Sequence, residues 1–447
     1  MQFDNTKYEF TDRGKAGTIA LVVGVIGLVL SAVGFFVDRS QFMFSWLTSF
    51  AFWVSIGFGG LFFVMLHHIT NAKWSVTARR MAENIMVTLP WLLIFAIPVF
   101  IGMGDLYEWV EIGKAHHGEK QAIHLDLIET AHASEDTNHG NTLSEETHDS
   151  HSEANSGHVE HDDHAHQAHI DLVASKSGFL NVPFFVIRTL IYFAVWTIFA
   201  FALYRLSIKQ DKPGFTLNDW KRFKVLSAPG IIAFAFTVTF AAFDWLMSLF
   251  PAWYSTIYGL YYFAGGLVGI MAFMIVVFVG LRKRGILEKE ITIEHYHDLG
   301  KLLFAFMIVW AYFSFSQYLL IWYANIPEET IYYHNRWTGS WKAMTLIIVF
   351  GHFVIPFVLL MSRHVKRSFD ALRFFAIWLL VMHWLDLYWN VMPVLHPESA
   401  LPSWLDLTTM MGIGGIFLFI FWRNFTKHAV LAFNDPKLDE SIEFQNI

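Results

Sequence analysis

The chain is 447 residues long, 55% hydrophobic, 17% aromatic and only 15% charged, with a formal net charge of −7. That balance excludes an ordinary soluble domain and fits a polytopic membrane protein, which needs about 20 apolar residues per helical crossing. The lack of cysteine excludes disulfides, Cys-zinc sites, Cys-ligated iron–sulfur clusters and covalently attached haem; no nucleic-acid partner is expected.

The opening residues, Met1 to Lys15, are polar and mixed in charge. No small-residue cleavage site follows the first apolar run, which reads as a retained helix and not as a signal peptide. Ten apolar runs predict membrane-spanning helices at 16–36, 42–66, 84–104, 183–206, 226–249, 254–281, 300–325, 341–361, 371–392 and 405–423. Inside lipid each must satisfy its backbone polar groups within the helix.

The termini and the loops after spans 2, 4, 6 and 8, with adjoining helix ends, carry 24 of the 31 Lys and Arg residues. Among them are Arg79 and Arg80, the run Lys221, Arg222 and Lys224, and the triplet Arg282 to Arg284. The other side carries seven. Positive-inside bias puts both termini in the cytoplasm and the long loop after span 3 in the periplasm of a bacterium.

That loop, residues 111–178, holds twelve of the 22 histidines and fourteen acidic residues against three lysines. Low hydrophobicity with high charge predicts a mostly disordered insert. His158, His161, His164 and His166, beside Asp162 and Asp163, have spacings that suit zinc or copper. A solvated insertion with no metal role is the alternative.

Removing the insert exposes a repeat. Gly59-Gly60 in span 2 resembles Gly265-Gly266 in span 6, and FDWLMSLFP with Asp244 and Pro251 resembles LDLYWNVMP with Asp386 and Pro393. Gly59 to Asp244 is 185 residues, or 117 without the 68-residue insert; Gly265 to Asp386 is 121. An even number of helices per copy requires a parallel repeat. The expected fold is an all-α polytopic membrane protein with ten transmembrane helices, two parallel-repeated four-helix bundles and two flanking helices. Its segments are 1–41, 42–110, the insert 111–178, 179–249, 250–393 and 394–447.

Ionisable residues at membrane depth mark function by default. In the first bundle these are Asp105 and Glu108 at the outer end of span 3, Arg188 in span 4 and Asp244 in span 5, with an Arg188–Asp244 pair expected. In the second bundle His352 and His383 lie roughly 16–18 Å into their helices. His383, Asp386 and Asn390 fall on one helix face, and Gln317 can join them. This is the composition of a proton-conducting line; a hydrogen-bonded core that fixes helix register is the alternative. Haem-carrying bundles repeat their histidine pairs, and a single pair is present, so no haem is expected here.

The segment FDWLMSLFPAWYSTIYG, Phe243 to Gly259, closely resembles the NrfD-like, or polysulfide-reductase membrane-subunit, family, and within it the two such subunits of bacterial alternative complex III. Span count, doubled bundles and cytoplasmic termini agree with it. The resemblance implies a quinol-oxidising respiratory complex. The expected partners are a homologous NrfD-like quinol-binding subunit, an iron–sulfur subunit and multihaem cytochrome c subunits. In the family, quinol is held near the outer face of the first bundle. Here that bundle offers only Asp105, Glu108, Arg188 and Asp244, with no deeper histidine. This chain therefore reads as the second, structural and proton-conducting subunit, with no redox cofactor of its own. Quinone binding in the same complex is one alternative. A metal-ion transporter with a His-rich outer loop is another.

Overall fold

A computed structural model of the chain describes residues 1–4, 7–115 and 167–445. Among these, ten helices are long and apolar enough to cross a membrane: α1 (Ala16–Val37), α2 (Arg39–Thr70), α3 (Val76–Ile101), α4 (Val182–Gln210), α5 (Leu217–Leu249), α6 (Tyr258–Arg282), α7 (Ile293–Ala324), α8 (Trp341–Leu360), α9 (Phe369–Val394) and α10 (Trp404–Phe425). The protein is an all-α, multi-pass membrane protein. All ten sequence-predicted spans have a counterpart. The main strand content among the described residues is a short antiparallel hairpin, Gln2–Asp4 with Glu9–Asp12.

Two compact units divide the chain, Met1–Leu106 with Val186–Ile447, and Tyr107–Phe185. In the smaller unit, helices cover 108–115 and 167–175. Tyr107, Trp109 and Phe185 pack ring against ring, and His169 reaches Glu108 at 3.2 Å. The candidate metal ligands His158, His161, His164 and His166 lie outside the described residues.

In the larger unit α2 is the central rod, buried along most of its length. It packs against α3, α5, α6, α9 and α10, while α6 packs against α5, α7 and α9. The two glycine pairs meet at the centre. A methyl placed on Gly59 would lie 2.8 Å from the Gly266 carbonyl, and one on Gly266 would lie 3.0 Å from the Ser55 carbonyl. Small residues let the backbones approach this closely. The flanking helices α1 and α10 use the same device. Gly24 and Gly27 face Gly415 and Gly412, with Ser31 and Thr408 hydroxyls 3.3 Å apart beside them.

Two spans are irregular for local reasons. In α3, Pro90 and Pro98 each lack an N–H and break the ladder, so Leu93–Ala96 tightens to 3-10 geometry. In α8, Pro356 cannot donate to residue 352, and Val349–Val354 forms a π-helical turn with His352 inside it.

The start of α3 corrects the sequence reading. The helix begins eight residues before 84, so Arg79 and Arg80 belong to it and are fully buried. Arg79 pairs with Glu83 and Asp435 at 3.0 Å each, and Arg80 with Asp211 at 2.9 Å. These carboxylates permit the burial, since a buried charge is tolerated when paired.

Candidate functional site

Taking the successive helices α2–α5 and α6–α9 as two quartets, each carries one acid near the end of its last helix, and the two acids are treated differently. In the first, Asp244 on α5 accepts from Arg188 Nε at 2.9 Å and from Nη2 at 2.7 Å, and from the Tyr192 hydroxyl at 2.6 Å. This is a bidentate ion pair with both carboxylate oxygens engaged. The expected Arg188–Asp244 pair is therefore present. Asp105 is not gathered with them in any bond; it pairs with Arg39 at 3.0 Å on a partly exposed surface. Glu108 belongs to the smaller unit and is met by His169.

In the second quartet, Asp386 on α9 is 2% exposed and has no cation within 4 Å among the described residues. Neutral donors hold it instead. The Tyr261 hydroxyl donates to Oδ1, and Trp310 Nε1 donates to Oδ2 at 3.1 Å. Asn390, one turn on, donates Nδ2 to the Tyr261 oxygen at 2.9 Å and to the Asp386 carbonyl at 2.7 Å. Its Oδ1 accepts from the hydroxyls of Tyr258, at 3.1 Å, and Tyr332, at 2.8 Å. One line of hydrogens runs toward the carboxylate, from Tyr258 and Tyr332 through Asn390 and Tyr261. Such aligned bonds polarise one another.

Tyr332 sits on a short helix, Pro327–Asn335, outside the spans. Burial pushes its phenol up to about 12, so it stays a donor at neutral pH. Beside it Arg336, 1% exposed, gives its protons to the carbonyls of Tyr332, Trp389 and Asn390 at 2.8, 3.2 and 2.9 Å, and lies over the Tyr332 ring. Burial lowers its pKa, yet a guanidinium remains a cation in proteins.

His352 and His383 lie beside this network and not in it. His352 stacks on Trp310 with ring centres 3.8 Å apart, and neither of its nitrogens has a hydrogen-bond partner among the described residues. His383 turns to the other quartet: its Nε2 is 2.8 Å from the Ser55 hydroxyl of α2. Its ring is seated on Gly265 and Gly269, where added methyls would come within 2.7 and 3.3 Å. Gln317 accepts from Ser255 at 2.9 Å and donates to Tyr333 at 3.1 Å, joining the edge of the aromatic cluster.

A cavity of about 1060 Å³ opens between α7, the short helix and α8. Exposed Tyr312, Phe315 and Trp322 stand at its outer part, and Tyr261, Trp310, Arg336 and Asp386 line its inner wall. It thus joins an apolar entrance to an acid held by phenol and indole. Sequence reasoning missed Tyr258, Tyr261, Trp310, Tyr332 and Arg336. The tyrosines at 258 and 261 fall on one face of α6, the only available hint. Among the described residues no three His, Asp or Glu side chains converge as metal ligands.

Fold and site together define a multi-pass membrane protein with a buried carboxylate held by phenol and indole donors. No model of a known protein family matches the sequence, and no curated protein matches it.

Proposed function

We propose that this chain is an integral membrane subunit of a respiratory quinol-oxidising assembly, of the NrfD-like kind found in alternative complex III. In this reading it has no redox centre of its own, and its second bundle handles protons through Asp386. Both termini lie in the cytoplasm of a bacterium and residues 111–178 in the periplasm, as the Lys and Arg bias requires. Its partners are a homologous quinol-binding subunit, an iron–sulfur subunit and multihaem cytochrome c subunits.

One observation carries the reading: a buried carboxylate without a counter-ion among the described residues, surrounded by converging neutral donors. A carboxylate tied to arginine is held ionised; one held by phenol and indole can take up and release a proton at Oδ1 or Oδ2. Asp244, locked by Arg188, is the contrasting structural acid. It has little capacity left for a quinol hydroxyl, which favours the second-subunit assignment over quinol oxidation in the first bundle.

The cavity supports a second reading, in which this chain also binds quinone. Its size is that of a small-molecule site, and its apolar entrance suits an isoprenoid tail. In that reading the Asp386 carboxylate would accept a hydrogen bond from a quinone-ring hydroxyl, and Trp310 and Tyr261 would hold the carboxylate in place. The metal-transporter reading draws on the histidine-rich segment and on His352, His383 and Asp386, which form no three-ligand cluster among the described residues.

Purification of the native membrane assembly tests the proposal. Co-isolation with multihaem and iron–sulfur subunits, and loss of proton translocation in Asp386→Asn, are expected. A chain that purifies alone and takes up zinc or copper when reconstituted contradicts it. Quinone retained by the wild type and lost in Trp310→Ala would favour the second reading.

A further inference from the structure

Where α2 ends and α3 and α5 begin, a second cavity of about 240 Å³ lies against the C-terminal segment. Its wall includes His68, Trp220, Lys221, Lys224, Asp435 and Lys437. Asp435 does not balance these lysines, because Oδ2 already accepts from Arg79 at 3.0 Å and from Gln210 at 3.2 Å. Lys221 and Lys224 are exposed and have no carboxylate within 4 Å among the described residues. Lys437 is braced on Asn71. His68 lies flat on Phe223, 4.1 Å away, with its Nε2 buried and without a hydrogen-bond partner among the described residues. The cavity therefore has surplus positive charge and an unused buried polar atom.

The surface beside it is apolar. Along α5, Val225, Ile232, Phe236 and Phe240 are exposed. Their spacing of seven, four and four residues puts them in one stripe running from the lysines into the membrane span. Trp220 stands at the mouth, as aromatics do at membrane–water boundaries.

We propose that this cavity holds the phosphate headgroup of an anionic phospholipid, with an acyl chain along the Val225–Phe240 stripe. Lys221, Lys224 and Lys437 meet the phosphate. Basic pockets at the ends of spans recognise anionic headgroups in this way. Free phosphate shares the headgroup chemistry but makes no use of the stripe.

The test uses the full-length protein in nanodiscs of phosphatidylcholine, with or without phosphatidylglycerol. Lipid retained after re-extraction is counted by native mass spectrometry. Phosphatidylglycerol is expected to be retained in preference. Lys221→Gln with Lys224→Gln should weaken its binding about thirtyfold, two charges at about 1 kcal/mol each. Both lysines are exposed, so an unchanged melting temperature is expected for that variant. Arg222→Gln, whose partner is Asp219 at 3.2 Å, should leave retention unchanged. Phe236→Asn, remote from the lysines, should weaken lipid retention as well. Equal retention of the two lipids, an unchanged double variant, or displacement of the lipid by millimolar inorganic phosphate overturns the proposal.

Discussion

Trp310 donates its indole hydrogen to Asp386 at 3.1 Å while its ring lies flat on His352 at 3.8 Å. One side chain thus links the acid of α9 to the histidine in the π-turn of α8. Replacing Trp310 by Phe keeps the stack and removes the donor. We expect that variant to assemble normally and to translocate protons less well. Reconstituted proteoliposomes with a pH-sensitive dye would read the difference.

Asp386→Leu should be far more damaging to the fold than Asp386→Asn. Leucine leaves the Tyr261 and Trp310 donors buried and unpaired, at about 1–3 kcal/mol each. Asparagine keeps an acceptor oxygen for one of them. Melting temperatures in detergent should therefore rank wild type above Asn and Asn above Leu. Equal values for the two variants would mean the donors find other partners.

Arg188 and Asp244 should behave as a structural tie. Removing either partner alone leaves a buried charge, at a cost of about 3–5 kcal/mol. The double change Arg188→Met with Asp244→Leu should recover most of that loss. Proton translocation per electron should stay at the wild-type value in the double variant, which separates this acid from Asp386.

The α1–α10 seam should tolerate nothing larger than glycine. A methyl on Gly27 would lie 2.4 Å from the Gly412 nitrogen, and one on Gly415 would lie 2.3 Å from the Gly24 backbone. Gly27→Val should part the two helices, with a cost of at least about 1–3 kcal/mol. Cysteine pairs engineered across the seam should crosslink in the wild-type background and fail in that variant.

Acid should loosen the segment after α10. Burial, and then Lys427, Arg80 and Lys212, hold the His428 pKa below its ordinary value of 6.5. The folded state thus prefers the neutral ring. Stability from this residue is full above about pH 6.5 and declines as the pH falls from there toward the folded value. His428→Gln should flatten that decline, seen as a smaller drop in melting temperature between pH 7 and pH 5.

Much of the fold was legible because lipid imposes length and composition on a span; every one of the ten helices follows from that. The two glycine pairs also spoke clearly, and Gly59 and Gly266 do meet. Asp244 and Asp386 stood out as acids in apolar helices. Their different surroundings were only half legible. Arg188 announced itself as the partner of Asp244, since an ionisable residue in a span needs one. The donors to Asp386 come from α6 and α7, the short helix after α7 supplies Tyr332 to Asn390, and no local spacing brings Tyr261, Trp310 and Tyr332 together. The direction of His383 was hidden for the same reason: its partner, Ser55, lies 328 positions away. Glu83, which pairs with Arg79, is close in sequence, but Arg79 and Arg80 read as loop charges because their other neutralising acids, Asp435 and Asp211, are distant.

The most direct measurement is the proton-to-electron ratio of the native assembly in proteoliposomes, with Asp386→Asn compared against wild type. The account predicts continued electron transfer with proton translocation lost. An unchanged ratio in Asp386→Asn would contradict it.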